Sequence, residues 1–217
     1  MEIPKLGQWS FESKNIAKSF DAHVREQLPF YDIVTNAVVH IVRHYLPKNG
    51  VIYDIGASTG NIGVKLKDDS VHRTAKLYAI EPSKEMADLY IGGGDLIIDN
   101  AQNVEFKNFD VAICFLVLMF LSKKEQIELI KKLKERLNTG GCIIVVDKLE
   151  PISGYESIVL SRLSLSQKLQ NGVTPDEIIK KELSLSGVQR PITRELLGDN
   201  AIKFFMLGDF VGYIIKA

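Results

Sequence analysis

Cysteine is nearly absent from this chain: Cys114 and Cys142 are the only two among 217 residues. They are too few for a disulfide framework and too far apart in sequence for a zinc-ligand cluster, which fits a reducing compartment. Net charge is absent too. With 27 Lys and Arg against 27 Asp and Glu, no whole-molecule field steers the protein onto nucleic acid or anionic lipid, so there is no strong nucleic-acid signature. A membrane-spanning run is also missing, because the longest apolar stretch, Val111 to Leu121, falls short of the roughly 20 residues a membrane helix needs. Met1-Glu2-Ile3-Pro4-Lys5 offers no basic region leading into an apolar one, so no signal peptide is expected and the chain is expected to be cytoplasmic, with no membrane partner. What is present is 46% hydrophobic and 25% charged residues. That is enough to fill one core, at a length that fits one α/β domain rather than two.

Apolar residues at Ile33, Val34, Ala37, Val38, Ile41, Val42, Tyr45 and Leu46 predict one face of a helix, stopped by Pro47 and Asn49-Gly50. Val51 to Ile55 then reads as a buried strand, followed by a glycine-rich turn and a helix. The alternation repeats with a strand at Lys76 to Ile80, a helix at Ser83 to Tyr90, and strands at Leu96 to Ile98 and Val111 to Phe115. Ser122-Lys123-Lys124-Glu125 is a capping box. The helix it opens is expected to bury Ile127, Ile130, Leu133 and Leu137, to end at Gly140-Gly141, and to lead into a strand at Cys142 to Val146. Two helical segments follow, near Tyr155 to Leu169 and from Thr174-Pro175-Asp176-Glu177, before closing strands near Ile202 to Met206 and Val211 to Ile215. Strands alternating with helices argue an α/β fold, a mostly parallel sheet of seven strands covered on both faces. The expected organisation is one domain: a helical arm at 1–46, a core at 47–148, a helical cap inserted after the fifth strand at 149–200, and closing strands at 201–217.

The turn Asp54-Ile55-Gly56-Ala57-Ser58-Thr59-Gly60 admits three chemistries. Gly56-x-Ser58-x-Gly60 is formally a hydrolase nucleophile elbow, but that site needs an acid and then a histidine later in the chain. Of His23, His40, His44 and His72 only the last follows Ser58, too early for the second half of the sheet. A dinucleotide site needs glycine where Ser58 stands, so that the backbone can approach a pyrophosphate. An S-adenosylmethionine site has no pyrophosphate to admit, and its ammonium and sulfonium charges favour acids nearby. Asp54 before the turn and Glu81 after the second strand supply them. Asn100 is placed to meet an adenine amino group, and Met86 either packs on the adenine face or fills core.

Asp54-x-Gly56-x-x-x-Gly60, Ala79-Ile80-Glu81-Pro82-Ser83-x-x-Met86, Asn100-Ala101 and Leu137-Asn138-x-Gly140-Gly141, taken in order, resemble the Rossmann-like class I S-adenosylmethionine-dependent methyltransferases over roughly residues 30 to 150. Leu6-Gly7-x-Trp9-x-Phe11, the Ala17 to Val24 segment, Leu28-Pro29-x-Tyr31 and the stretch from Phe204 to Ala217 are similar to the carboxy-S-adenosylmethionine synthase branch, which serves tRNA uridine modification. The resemblance implies S-adenosylmethionine as cofactor. Gly56, Ala57, Ser58 and Gly60 would meet its methionine part, with Asp54 beneath. Glu81 would hold both ribose hydroxyls, Pro82 and Met86 would lie by the adenosine, and Asn100 and Ala101 would read the adenine edge. Tyr31 would close over the cofactor, and Cys114 stands where the branch has an asparagine. Aligned on Asn171-Gly172 and Glu177 to Lys181, Glu182 stands where the branch has a carboxylate-binding arginine, with Lys181 or Arg190 able to replace it. Carboxylated cofactor is therefore expected to bind worse than S-adenosylmethionine, and the expected activity is methyl transfer to an unidentified small-molecule or nucleotide acceptor. The alternatives are carboxy-S-adenosylmethionine synthesis and a non-catalytic cofactor-binding protein, and a homodimer is compatible with the pattern.

Other chemical-looking residues carry less. His40 and His44 are one helical turn apart, but Ile41 stands where a zincin needs Glu, so they read as a solvated face and no metal is expected. The lysines at 131, 132 and 134 read as the wet side of a helix. Asp147, Lys148 and Glu182 are polar candidates for the pocket wall, and no catalytic residue is assigned.

Overall fold

The computed structural model describes residues 6, 7, 10 and 14–217, excepting the side chains of 14–19. Trp9 and Phe11 of the arm signature lie outside the described residues. Two arm helices, α1 (Lys14–Gln27) and α2 (Tyr31–Tyr45), precede β1 (Val51–Ile55), α3 (Asn61–Arg73), β2 (Lys76–Ile80), α4 (Lys84–Ala87), β3 (Asp95–Ile97) and β4 (Phe109–Phe115). A short 3-10 turn, Leu118–Phe120, leads to α5 (Lys123–Arg136) and β5 (Leu137–Lys148). The cap helices α6 (Gly154–Gln170), α7 (Pro175–Ser184) and α8 (Arg194–Leu197) separate β5 from β6 (Ile202–Leu207) and β7 (Phe210–Lys216).

The seven strands run in the order β3-β2-β1-β4-β5-β7-β6, with β7 antiparallel to both of its neighbours and the other pairings parallel. Chain order reverses between β1 and β4, so the loops leaving those two strands diverge and open a crevice at their carboxyl ends. Alternate residues of each strand feed two cores. Ile113, Ile144 and Val146 pack with Val34, Val38 and Val42 of α2 on one face. Ala112, Ile143 and Val145 pack with Leu129 and Leu133 of α5 on the other.

The helix faces are narrower than the sequence pattern implies. Ile33 is 70% exposed and Ile127 60% exposed, whereas Thr35 and Val39 of α2 and Gln126 and Leu129 of α5 are buried. In each helix an isoleucine at the edge of the apolar stripe faces solvent, and the buried set is Tyr31, Val34, Thr35, Val38, Val39 and Val42 in α2 and Gln126, Leu129, Ile130 and Leu133 in α5. The expected helix at 83–90 is the four-residue α4. Gly140-Gly141 does not end α5. The helix stops at Arg136, Leu137 is already extended, and the glycines lie inside β5, beside a register shift between Phe109 and Val111. A Cβ at Gly141 would sit 2.4 Å from the Asp110 carbonyl oxygen, so glycine is needed there for strand packing. The expected capping box forms at Ser122 with Glu125, and Thr174 with Glu177 makes a second one at the start of α7. Among the described residues, no helix is long and apolar enough to cross a membrane.

Candidate active site

The crevice is a cavity of about 350 Å³ running from the ends of β1, β2 and β4 to the arm and cap helices. One end is built from the glycine turn. Gly56 (φ 68°) and Ala57 both donate their N–H to the Ile80 carbonyl, at 2.8 and 3.0 Å, which bends the chain across the end of β2. A Cβ on Gly56 would sit 2.3 Å from Val117 Cγ2. Ser58 (φ 52°) turns its N–H onto Glu81 Oε2 at 2.8 Å, and Ser83 donates its N–H to Oε1 at 2.9 Å. Two backbone amides thus fix both carboxylate oxygens of Glu81 and leave each with lone-pair capacity for a further donor. Burial raises the Glu81 pKa, and these two amides pull it back down.

Asp54 lies beneath the turn, 2% exposed, and its Oδ2 has no hydrogen-bond partner. Burial first, and the neighbouring Glu81 second, push its pKa up to about 7. A buried carboxylate oxygen without a partner costs roughly 1 to 3 kcal/mol, so a cationic donor arriving in the cavity would relieve both the missing bond and the raised pKa. The ammonium of S-adenosylmethionine is such a donor, and Glu81 is poised for a vicinal diol. The residues present therefore fit that cofactor.

Ten of the twelve residues expected to bind it line this cavity: Tyr31, Asp54, Gly56, Ala57, Ser58, Glu81, Pro82, Met86, Asn100 and Ala101. Met86 is 1% exposed, with its sulfur 3.6 Å from Ser58 Oγ, so it packs as core while it also lines the cavity. Gly60 and Cys114 do not line it. Gly60 (φ 95°) caps α3, and a Cβ there would fall 2.4 Å from the Gly92 nitrogen, so its glycine serves the packing of the turn. Cys114 points to the core against the α5 face and is fully buried; its thiol pKa is raised by burial. The cavity opens past the strand ends, where Ile55, Ile80 and Leu129 of the same core also line it, and Cys114 lies one step inside the end of β4. Phe115, at that end, lines the cavity.

Some contacts have no sequence signal. Asp21 of α1 accepts hydrogen bonds from Thr59 Oγ1 at 2.9 Å and Asn61 Nδ2 at 2.7 Å, and Asn61 also donates to Tyr31 Oη at 3.2 Å. With the Tyr31 ring edge-on to Phe115, centroids 5.4 Å apart, the arm is tied to the turn across the mouth of the cavity. At the far end stand Lys148, Lys168, Lys181 and Glu182. Lys168 Nζ lies 2.7 Å from Glu182 Oε1, and Lys148 Nζ 3.3 Å from Asp209 Oδ2. Lys181 Nζ lies 3.4 Å from His23 Nε2. Burial, reinforced by the charge of Lys168, lowers Lys181 to about 7. Arg190 does not line the cavity. Asp147 does not either; it is fully buried and accepts the backbone N–H groups of Met119 and Lys148, at 3.2 and 2.8 Å, pinning the loop after β4. Among the described residues, no group of three or more His, Cys, Asp or Glu converges as a metal site.

Comparison with known proteins agrees with this geometry. Residues 53–145 match the model of a methyltransferase domain. The carboxy-S-adenosyl-L-methionine synthase of Staphylococcus epidermidis is 31% identical over 95% of this chain and 96% of its own. That of Shewanella piezotolerans is 25% identical over 88% and 82%. Human N-acetylserotonin methyltransferase, solved with S-adenosylmethionine, superposes with TM-score 0.61 at 11% identity over 95% of this chain and 57% of its own. Magnesium protoporphyrin IX methyltransferase from Synechocystis gives 0.59 at 15% identity over 89% and 86%, and these two show the shared fold. The chain is therefore an S-adenosylmethionine-dependent enzyme of the class I methyltransferases and belongs, within them, to the carboxy-S-adenosyl-L-methionine synthase family.

Proposed function

We propose that the protein transfers the methyl group of S-adenosylmethionine to an oxygen or nitrogen of a small acceptor held between the arm and the cap, with residues 1–217 acting as one domain. The observation that carries this reading is Lys181 of α7, which lines the same cavity as the glycine turn with its Nζ 3.4 Å from His23 Nε2, its pKa lowered by burial to about 7. The cofactor supplies an electrophilic methyl on a positively charged sulfur. Glu81 and Asp54 hold its two flanks, and the Tyr31–Asn61–Asp21 bonds close the arm over the mouth. Lys181 Nζ, neutral above pH 7, takes the proton that the acceptor sheds as it is methylated, a contribution worth 10²- to 10⁴-fold for a well-placed base. Holding the acceptor near attack distance in a dry site contributes the rest. Both cysteines are free and buried, which supports the cytoplasmic setting expected from the sequence.

One observation favours a second reading, carboxylation of the cofactor as in the named relatives. Glu182, expected to repel an added carboxylate, is held by Lys168 at 2.7 Å. Its charge is thus largely offset, and a protonated Lys181 beside it adds a cation. Among the described residues no arginine lines the cavity, which keeps methyl transfer first. Incubation with S-adenosylmethionine and either a pool of hydroxyl- and amine-bearing acceptors or prephenate, read by mass, tests both. Methylated acceptor is expected; carboxylated cofactor formed at enzymatic rates would overturn methyl transfer and establish the second reading.

A further inference from the structure

Away from the cavity, the exposed side of α2 carries His40 and His44, whose Nε2 atoms approach to 3.2 Å. Two imidazole nitrogens each 2.0–2.1 Å from one zinc ion, at a tetrahedral angle, lie about 3.3 to 3.4 Å apart. The two rings therefore already hold nearly the separation that chelation requires, tilted 66° to each other with centroids 4.7 Å apart.

The scaffold keeps them there. The opposite side of α2 is buried through Val34, Val38 and Val42, each fully, and Arg43, between the histidines, is tied to Asp69 of α3 at 2.8 Å. Position along the helix adds a second, independent reason. His40 and His44 lie in the last turns of α2, which ends at Tyr45, where the carbonyl end of the helix favours a cation. Ile41 follows the first histidine, so the pair lacks the glutamate of a zinc protease and has no hydrolytic role to play.

We propose that His40 and His44 form a two-histidine chelating site for a divalent transition metal of the zinc type, its remaining positions filled by water. Imidazole ligands suit zinc, nickel and copper, and copper(II) should bind tighter than zinc(II) by the usual order of affinities. The site is independent of the cofactor cavity, so its occupancy leaves cofactor binding unchanged.

Equilibrium dialysis of the full chain with zinc(II), alongside calorimetry with S-adenosylhomocysteine, tests it. One zinc per chain is expected, with affinity falling at least tenfold in His40→Ala and in His44→Ala and unchanged in His72→Ala, a control whose ring faces the Asp68 carbonyl of its own helix. Zinc should raise the melting temperature of the wild type and not of the double variant, and all variants should bind S-adenosylhomocysteine alike, showing that they fold. Zinc uptake that survives loss of both histidines, or no measurable uptake by the wild type, overturns the proposal.

Discussion

The two ends of the cavity are held by different means. At the cofactor end the backbone does the holding. Gly56 and Ala57 donate to the Ile80 carbonyl, and the amides of Ser58 and Ser83 clamp Glu81, all set by the β1–β2 register that pairs Ile55 with Ile80. Where the cap meets the cavity side chains do it: Lys168 with Glu182, Lys148 with Asp209, Lys181 beside His23. These stand largely on cap helices that bury little, α6 only Lys168 and α7 only Ile178. A backbone-held site needs glycines and small residues at fixed steps and so leaves a pattern in the sequence. A site held by side chains from separate helices needs only that complementary charges meet, and many sequences satisfy that.

The contrast is broken most severely at Gly60. Gly60→Val places a β-branched residue at φ 95° and drives its Cβ into the Gly92 backbone, so a loss of about 3 kcal/mol in stability is expected. Thermal denaturation should show it together with loss of cofactor binding. Glu81→Ala comes next. It removes the acceptor for two backbone amides as well as for the ribose, at roughly 1.5 to 3 kcal/mol per charged bond, and calorimetry should find affinity for S-adenosylhomocysteine at least tenfold weaker.

The glycine turn and the acids around it were legible because each residue type answers a backbone need. Gly56 has no room for a Cβ, Ser58 is small at a position where its amide bonds Glu81, and Asp54 stands two residues before the bend at Gly56. The alternation of strands and helices pointed to a mostly parallel sheet, though not to its strand order. Cys114 does not line the cavity because β4 runs one residue further, to Phe115, and where a strand ends against a cavity depends on the fold and not on composition. Lys181 drew notice only as a substitute for a missing arginine. Its burial and its neighbour His23, 158 positions away in sequence, are products of the fold.

A smaller effect separates the ends by pH. Because burial raises Asp54 to about 7 in the folded protein, its proton is bound more tightly there than in the unfolded chain. The free protein should therefore lose stability as pH climbs from about 4 to about 7, and Asp147, likewise raised to about 7 by burial, adds to the trend. The cofactor ammonium favours ionised Asp54, so affinity for S-adenosylhomocysteine should rise between pH 6 and 8 in the wild type and stay nearly flat in Asp54→Asn, as read by calorimetry. The smallest change concerns the far end. Lys181→Met should leave cofactor affinity within about twofold, as distant sites do, while abolishing the limb of the activity profile that rises through pH 7.

A crystal structure of the protein with S-adenosylhomocysteine tests the central claim most directly, because it locates the ligand's ammonium, diol and sulfur in one experiment. The ammonium is expected within hydrogen-bond reach of Asp54 Oδ2, both ribose hydroxyls on Glu81, and the sulfur turned toward Lys181 across the open half of the cavity. A ligand whose diol avoids Glu81, or whose sulfur faces away from Lys181 toward solvent, would contradict that claim.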